Sequence, residues 1–339
     1  MRVALTADLQ LQTQPRYSTI ASSGLTTRLV DMIECFEWIV DEAIKSKCER
    51  LFVMGDVFDS RTVIDVCVID RACRAFSAAS KKIAIDVIVG NHDAYLRTPK
   101  LNSTQMLASC TTVHEGVAST GPFVIVPWTD DQDAYRSSLK RASGIRKRMR
   151  GKAFLLSHGM FGNAVPMAKG MPIEWLLEGK WDGVYLGDVH DPVVLQRDPT
   201  IRYVGSPMQL HFGDAGGKRG FVVLDTDTGK SRFIENGRSP RFHLLSTLDD
   251  VRKPATDRDF FRVRASDEDV ENAILGEVRK LSQWIEVETT GAGTSEGVRI
   301  AAAGTLTDEE LLRAYCKHVL VDPDLLVPLG MALLQEARE

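Results

Sequence analysis

Leu51-Phe52-Val53-Met54-Gly55-Asp56-Val57-Phe58-Asp59 is the stretch on which the fold turns. A short apolar run that breaks into Gly-Asp reads as a buried strand ending in a tight turn, with a carboxylate at its carboxyl end. The same pattern recurs outward in both directions. Val3-Ala4-Leu5-Thr6-Ala7 runs into Asp8-Leu9-Gln10, and Ile83 to Val89 runs into Gly90-Asn91-His92-Asp93. Phe154-Leu155-Leu156 runs into Ser157-His158-Gly159, and Val184-Tyr185-Leu186 into Gly187-Asp188-Val189-His190; Phe123 to Val126 is one more apolar run. Between the first strands, Arg28 to Lys47 carries Leu29, Ile33, Phe36, Ile39, Val40 and Ile44 at helical spacing, and a second helix is predicted from about Val63 to Ala79. Strand-helix alternation predicts an α/β layered architecture. In such sheets the carboxyl-terminal rim is where ligand sites are built.

One such cluster says little, because a Gly-Asp pair or a lone His after a strand is usually structural. Five clusters at successive strand ends are a different observation. Hard divalent cations take oxygen donors, and Mn, Fe or Zn accept imidazole as well. Asp8, Gln10, Asp56, Asn91, His158, Asp188 and His190 are therefore a ligand set suited to two ions.

In this order the motifs resemble the calcineurin-like metallophosphoesterase superfamily. Thr27-Arg28-Leu29, Gly55-Asp56-Val57-Phe58-Asp59, and Tyr203-Val204-Gly205-Ser206-Pro207 followed by His211-Phe212-Gly213-Asp214 narrow the likeness to SbcD-like DNA repair exonucleases, phage-encoded relatives included. The motifs span about residues 1–225, and the remaining third is similar only in position and size. The resemblance implies a four-layer β-sandwich flanked by helices, with a small α/β capping domain. It implies Asp8, Gln10, Asp56 and His190 around one metal and Asp56, Asn91, His158 and Asp188 around the other, with Asp56 bridging. His92 would face the scissile phosphate, protonating the leaving 3′-oxygen or steadying the transition state, while Asp59 and Asp93 would orient ligands or His92. The chain departs from the usual pattern at Gln10 and Asp188, where the family carries histidines. Three carboxylates and two imidazoles make a harder, more anionic set, so Mn is the expected ion, with Mg the alternative.

The rest of the chain is read against that expectation. At 339 residues it has room for two domains or more, and 44% hydrophobic with 26% charged residues is ordinary for a globular chain. A net charge of −4 excludes a general polycation, so DNA binding needs a local patch. Arg136, Lys140, Arg141, Arg146, Lys147, Arg148, Arg150 and Lys152 supply one, with no acidic residue among them; the choice is between a DNA surface beside the rim and a solvated helix face. Met160, Phe161 and Met167 to Met171 read as an apolar loop whose expected role is packing, with substrate gating the alternative. No stretch approaches the ~18 apolar residues of a membrane span and the N-terminus lacks a signal-peptide pattern, so a cytoplasmic protein, of a bacterium or a phage-infected cell, is expected. The six cysteines form no C-x-x-C pair and read as reduced core thiols. The division expected is 1–240 for the nuclease domain, 241–300 for a DNA-binding cap, and 301–339 for a helical segment docking on an ATPase. The resemblance implies DNA, an SbcC-like SMC-type ATPase and a second copy of the chain as partners, the last through helices near 63–80 and 95–109. Its leading function is a two-metal DNA nuclease; the rivals are a phosphodiesterase or phosphatase on small nucleotides and a weak DNA-binding scaffold.

Overall fold

A computed structural model describes residues 1–95, 98–165, 170–251, 255–265, 267–288, 307–319 and 323–336. The chain runs β1 (Arg2–Thr6), α1 (Thr27–Lys45), β2 (Arg50–Met54), α2 (Val66–Ser80), β3 (Ala84–Ile88), β4 (Thr112–His114), β5 (Ala118–Thr120), β6 (Phe123–Val126), α3 (Gln132–Arg146), β7 (Phe154–His158), α4 (Glu174–Leu177) and β8 (Gly183–Gly187). It continues with β9 (Val194–Arg197), β10 (Thr200–Tyr203), β11 (Gly220–Asp225), β12 (Ser231–Glu235), β13 (Phe242–Leu245), α5 (Leu248–Val251), β14 (Phe260–Val263), α6 (Glu268–Val278), β15 (Ile285–Val287), α7 (Asp308–Val319) and α8 (Pro323–Glu336).

Two six-stranded sheets, β12-β11-β1-β2-β3-β4 and β5-β6-β7-β8-β10-β9, lie face to face. Their central strands are parallel and buried on both faces, which is why they read as unbroken apolar runs rather than alternating ones. Val3, Leu5, Phe52, Ile88, Phe123, Phe154, Tyr185 and Val222 fill the space between the sheets. The outer face of the first sheet is covered by α1 and α2 through Leu29, Phe36, Ile39, Val68 and Phe76. That of the second is covered by α3 and α4 through Tyr135, Leu139 and Leu176. The result is helix, sheet, sheet, helix, the four layers expected.

A third, three-stranded parallel sheet, β13-β14-β15, packs with α6 around its own core of Leu245, Phe261, Val263, Ile274 and Val278. The joint between this cap and the sandwich is aromatic: Phe242 and Phe260 stack at 4.6 Å, and Tyr17 and Phe212 meet them edge-on. The fully buried Arg28 at the start of α1 lies under both cap rings, 5.4 Å and 5.1 Å from their centroids. Its guanidinium donates to Gln14 Oε1 at 2.9 Å and to the Gln209 carbonyl at 2.9 Å, while Asp31, one helical turn on, pairs with Arg258 of the cap.

Two expectations change. The helix near 95–109 is only a 3-10 turn at Ser103–Leu107: Pro99 sits in the preceding turn, where Asn102 donates to its carbonyl at 2.6 Å, and Ala94 pairs with Asn102 across it. The basic run also lies elsewhere than beside the rim. Helix α3 starts at the carboxyl end of β6 and travels about 22 Å back down the sheet over its 15 residues. Arg146, Lys147, Arg148, Arg150 and Lys152 are thus at the opposite end of β7 from His158. There Arg146 pairs with Asp182 and Lys152 donates to the Thr228 carbonyl. Only the first turns of α3, with Arg136 stacked on Trp175, approach the rim. Residues 289–306 lie outside the described residues, as does most of the loop at 167–171.

Candidate metal centre

The carboxyl ends of β1, β2, β3, β7 and β8 meet along one edge of the sandwich, bringing residues far apart in sequence to one place. Asp8, Asp56 and His158 are buried with ligand atoms within 4.8 Å of one another. The orientation of His158 is set by its partner: Nδ1 faces the Met54 carbonyl at 2.7 Å, which can only accept, so Nδ1 carries a proton and Nε2 is the nitrogen turned into the cluster. Around that nitrogen stand Asn91 Oδ1 at 2.7 Å, Asp56 Oδ1 at 3.4 Å and Asp188 Oδ1 at 3.7 Å. Two chemistries satisfy this group. With the Asn91 amide nitrogen turned inward, it donates to His158, Asp188 and Asp56; with the oxygen inward, the group is satisfied by a proton on His158 Nε2 or by a bound cation in its place. The residues therefore fit the second metal of the expected pair.

The other half of the set lies beside Asp56. Gln10 is buried, and its Nε2 donates to Asp56 Oδ2 at 3.3 Å, so the amide's donor rather than its oxygen faces the shared carboxylate. Asp8 accepts the Asp188 backbone N–H at 3.2 Å. His190 Nδ1 lies 3.3 Å from Asp214 Oδ1. Burial raises the Asp214 carboxyl, but the hydrogen bond and charge of His190 outweigh it and hold the group well below the usual carboxylate range, so it is the imidazole that donates.

The backbone pays for this convergence with left-handed turns. Asp8, Gln10, Asp56 and Asp188 have φ of 55°, 50°, 55° and 98°, in a region that costs a non-glycine residue roughly 1–2 kcal/mol each. Cross-strand bonds hold them there: Asp8 N–H to the Gly55 carbonyl at 3.0 Å, Gln10 N–H to Asp56 at 3.0 Å and Leu11 N–H to Val57 at 2.9 Å. Asp93 is buried and accepts the backbone N–H groups of Asp56, Val57, Phe58 and Gly90 at 2.8–3.2 Å, tying the loop after β2 to the loop after β3. His158 fits only because its neighbours are glycines. A Cβ at Gly55, whose φ is +97°, would lie 2.1 Å from its Nδ1, and one at Gly187 2.7 Å.

Crowded acids and imidazoles shift one another. Burial and the Asp56 charge push Asp8 up to about 7 against the pull of His158 and His190. Burial lowers His158, but Asp56, Asp8 and Asp188 outweigh it and carry it up to about 9. Burial also raises Asp188 and Asp59, the latter opposed by the charge of His92. His92 stands at the edge of the cluster: its backbone N–H donates to Asp56 Oδ1 at 2.8 Å, and its Nδ1 donates to the Asp59 carbonyl at 2.5 Å. Asp59 thus holds His92 through its main chain.

Three residues here carried no role in the sequence reading. Asp214 and His211 stood inside a motif, and Arg219 in a glycine-rich stretch that reads as a loop before a strand. His190, His211 and Asp214 are close enough to suggest a separate cation site. Their hydrogen bonds argue otherwise: His211 Nδ1 accepts the Gly213 N–H at 3.0 Å, which leaves its Nε2 protonated, and His190 Nδ1 is engaged by Asp214.

The fold is thus a four-layer sandwich that carries an Asp/Asn/His donor cluster on the joined rim of its two sheets. No protein-family model matches the chain. It is similar to exonuclease subunit 1 of Enterobacteria phage T4, at 26% identity over 197 residues, 54% of each chain; it thus spans about half the length of that curated relative. Among solved structures it is similar to the protein TT1561 of Thermus thermophilus (TM-score 0.45, 13% identity, 69% of this chain and 98% of the other). It is also similar to a dimetal phosphatase from Danio rerio (0.44, 11%, 66% and 91%) and to Pseudomonas putida nuclease MPE (0.32, 16%, 68% and 87%).

Proposed function

We propose that the chain is a two-metal-dependent DNA nuclease, an exonuclease that hydrolyses phosphodiester bonds during DNA end processing, repair or recombination. The observation that carries this reading is the convergence of the Asp56 and Asp188 carboxylates, Asn91 and His158 Nε2 at one buried point, beside a histidine that is not among them. Asp56, Asn91, His158 and Asp188 would hold one divalent ion, and Asp8, Asp56, His190 and a reoriented Gln10 the other, with Mn favoured by the hard donor set. Such a pair supplies Lewis acidity to the phosphodiester and to the attacking water. The chain's own groups do the rest. Asp93 and Asp56 fix the loop that carries His92, and the Asp59 carbonyl engages its Nδ1–H, so it is the Nε2–H of the imidazolium form that would pass to the departing 3′-oxygen, leaving the neutral ring.

The likeness to an exonuclease subunit supports a subunit role, here proposed as working with an SbcC-like ATPase at the paired helices α7 and α8. A homodimer is proposed through α2 and the 103–107 turn, where Val63, Val66, Leu101 and Met106 are exposed. The rim-side residues of α3, Arg136 first, are the proposed DNA contacts of the basic run.

The test is hydrolysis of linear and hairpin DNA, and of bis-p-nitrophenyl phosphate, with Mn, Mg or EDTA, by the chain and its His92→Ala variant. DNA cleavage in Mn that EDTA abolishes and His92→Ala lowers by about 10²–10⁴-fold is the expected result. Cleavage of the small ester alone would move the reading to a phosphodiesterase. DNA binding without cleavage of either would leave a scaffold.

A further inference from the structure

We propose that Asp214 is the positioning residue for His190, fixing which ring nitrogen is offered to the Asp8 side of the metal centre; the inference rests on the two-metal reading above. The two residues are 24 apart in sequence and belong to different loops, so the contact is made by the fold and by no local motif.

Three features separate Asp214 from an incidental neighbour. It is almost fully buried, at 5% exposure, whereas a carboxylate with nothing to do belongs in water. Both of its oxygens are committed: Oδ2 accepts the Leu210 N–H at 2.8 Å, and Oδ1 faces His190 Nδ1 at 3.3 Å and Arg219 at 3.2 Å. Arg219 is itself buried, and its other nitrogen is held by Asp191 at 2.6 Å, one residue past His190. The carboxylate is therefore anchored from two sides and cannot follow the imidazole; the imidazole must follow it. With Nδ1 protonated toward Asp214, Nε2 keeps its lone pair, the form a metal requires. His211, 5.6 Å away between ring centroids, is fixed in the opposite tautomer by Gly213 and does not substitute. The arrangement also answers Gln10. That side of the centre offers His190 as its imidazole beside the amide of Gln10, so its affinity rests heavily on how well that ring is held.

The experiment is calorimetric titration of the EDTA-stripped, dialysed full chain with Mn, comparing the unaltered protein with Asp214→Asn, His190→Ala and the double variant. Two ions bound by the unaltered chain, one of them weakened by His190→Ala, is the result the two-metal reading requires; its absence overturns that reading and this inference with it. Given that result, Asp214→Asn is expected to weaken the same ion by about 10–100-fold and leave the other unchanged. The double variant is expected to lose no more than His190→Ala alone, because Asp214 acts through that ring. Unchanged affinity in a folded Asp214→Asn, or losses that add in the double variant, would overturn the proposal. Should Asp214→Asn unfold through the uncompensated Arg219, Asp214→Asn/Arg219→Met removes both charges and carries the same expectation.

Discussion

At the scale of single residues, the site is a problem of clearance as much as of charge. His158 lies between Gly55 and Gly187, and adding one methyl to Gly55 places an atom where its Nδ1 already is. Gly55→Ala is expected to cost about 1–3 kcal/mol in stability and to weaken Mn binding about tenfold or more, read by denaturant unfolding and calorimetry; wild-type Mn affinity would show that the ring has room to move. Much of the centre was legible in the sequence because its residues sit just after apolar runs: Asp8, Asp56, Asn91, His158 and Asp188 are reached by counting past the end of a strand. What such counting misses is support from another loop. Asp214 meets His190 only because a turn folds back over the rim, and no spacing rule joins residues that far apart. Gln10 shows the opposite limit, since its position was legible but not the end of its amide that faces Asp56.

Among elements, the parallel strands were legible because burial on both faces leaves them continuously apolar. The hairpin of β9 and β10 was not: Val194–Arg197 is half polar and exposed at a sheet edge, so it offers no period to read. The basic run, left open between a DNA surface and a solvated face, is placed by chain direction. Adjacency in sequence to β7 places a segment at that strand's beginning, while the site is at its end. Helix α1 carries a second duty that its amphipathic pattern concealed, since its first turn delivers Arg28 to the cap. Arg28→Ala strips a buried cation from Gln14, Gln209 and two aromatic rings, and should cost about 3–5 kcal/mol. Denaturant unfolding measures that cost, and limited proteolysis should find the 236–241 junction opened first. A junction as resistant as before would mean that the aromatic contacts alone hold the cap.

Across the whole molecule, the cluster makes stability a function of pH. Metal-free, the folded chain holds protons on Asp8 up to about 7 and on His158 up to about 9, whereas the unfolded chain releases them near ordinary values of about 4 and 6.5. Between those limits the folded state binds more protons, so its stability falls as pH rises. The melting temperature in EDTA should decline from pH 5 to pH 9, and Mn should restore most of it at the alkaline end, where the ligands are already deprotonated. A flat profile in EDTA would mean that the acids and imidazoles are relaxed by solvent. The three-residue turn at Phe212–Asp214 adds a different kind of dependence. Its first ring is gripped by the cap, with the Arg262 guanidinium 4.1 Å above it, and its last residue faces His190. A lever this short has almost no slack. A displacement of the three-stranded sheet against Phe212 would therefore be felt at the His190 imidazole within one turn of chain.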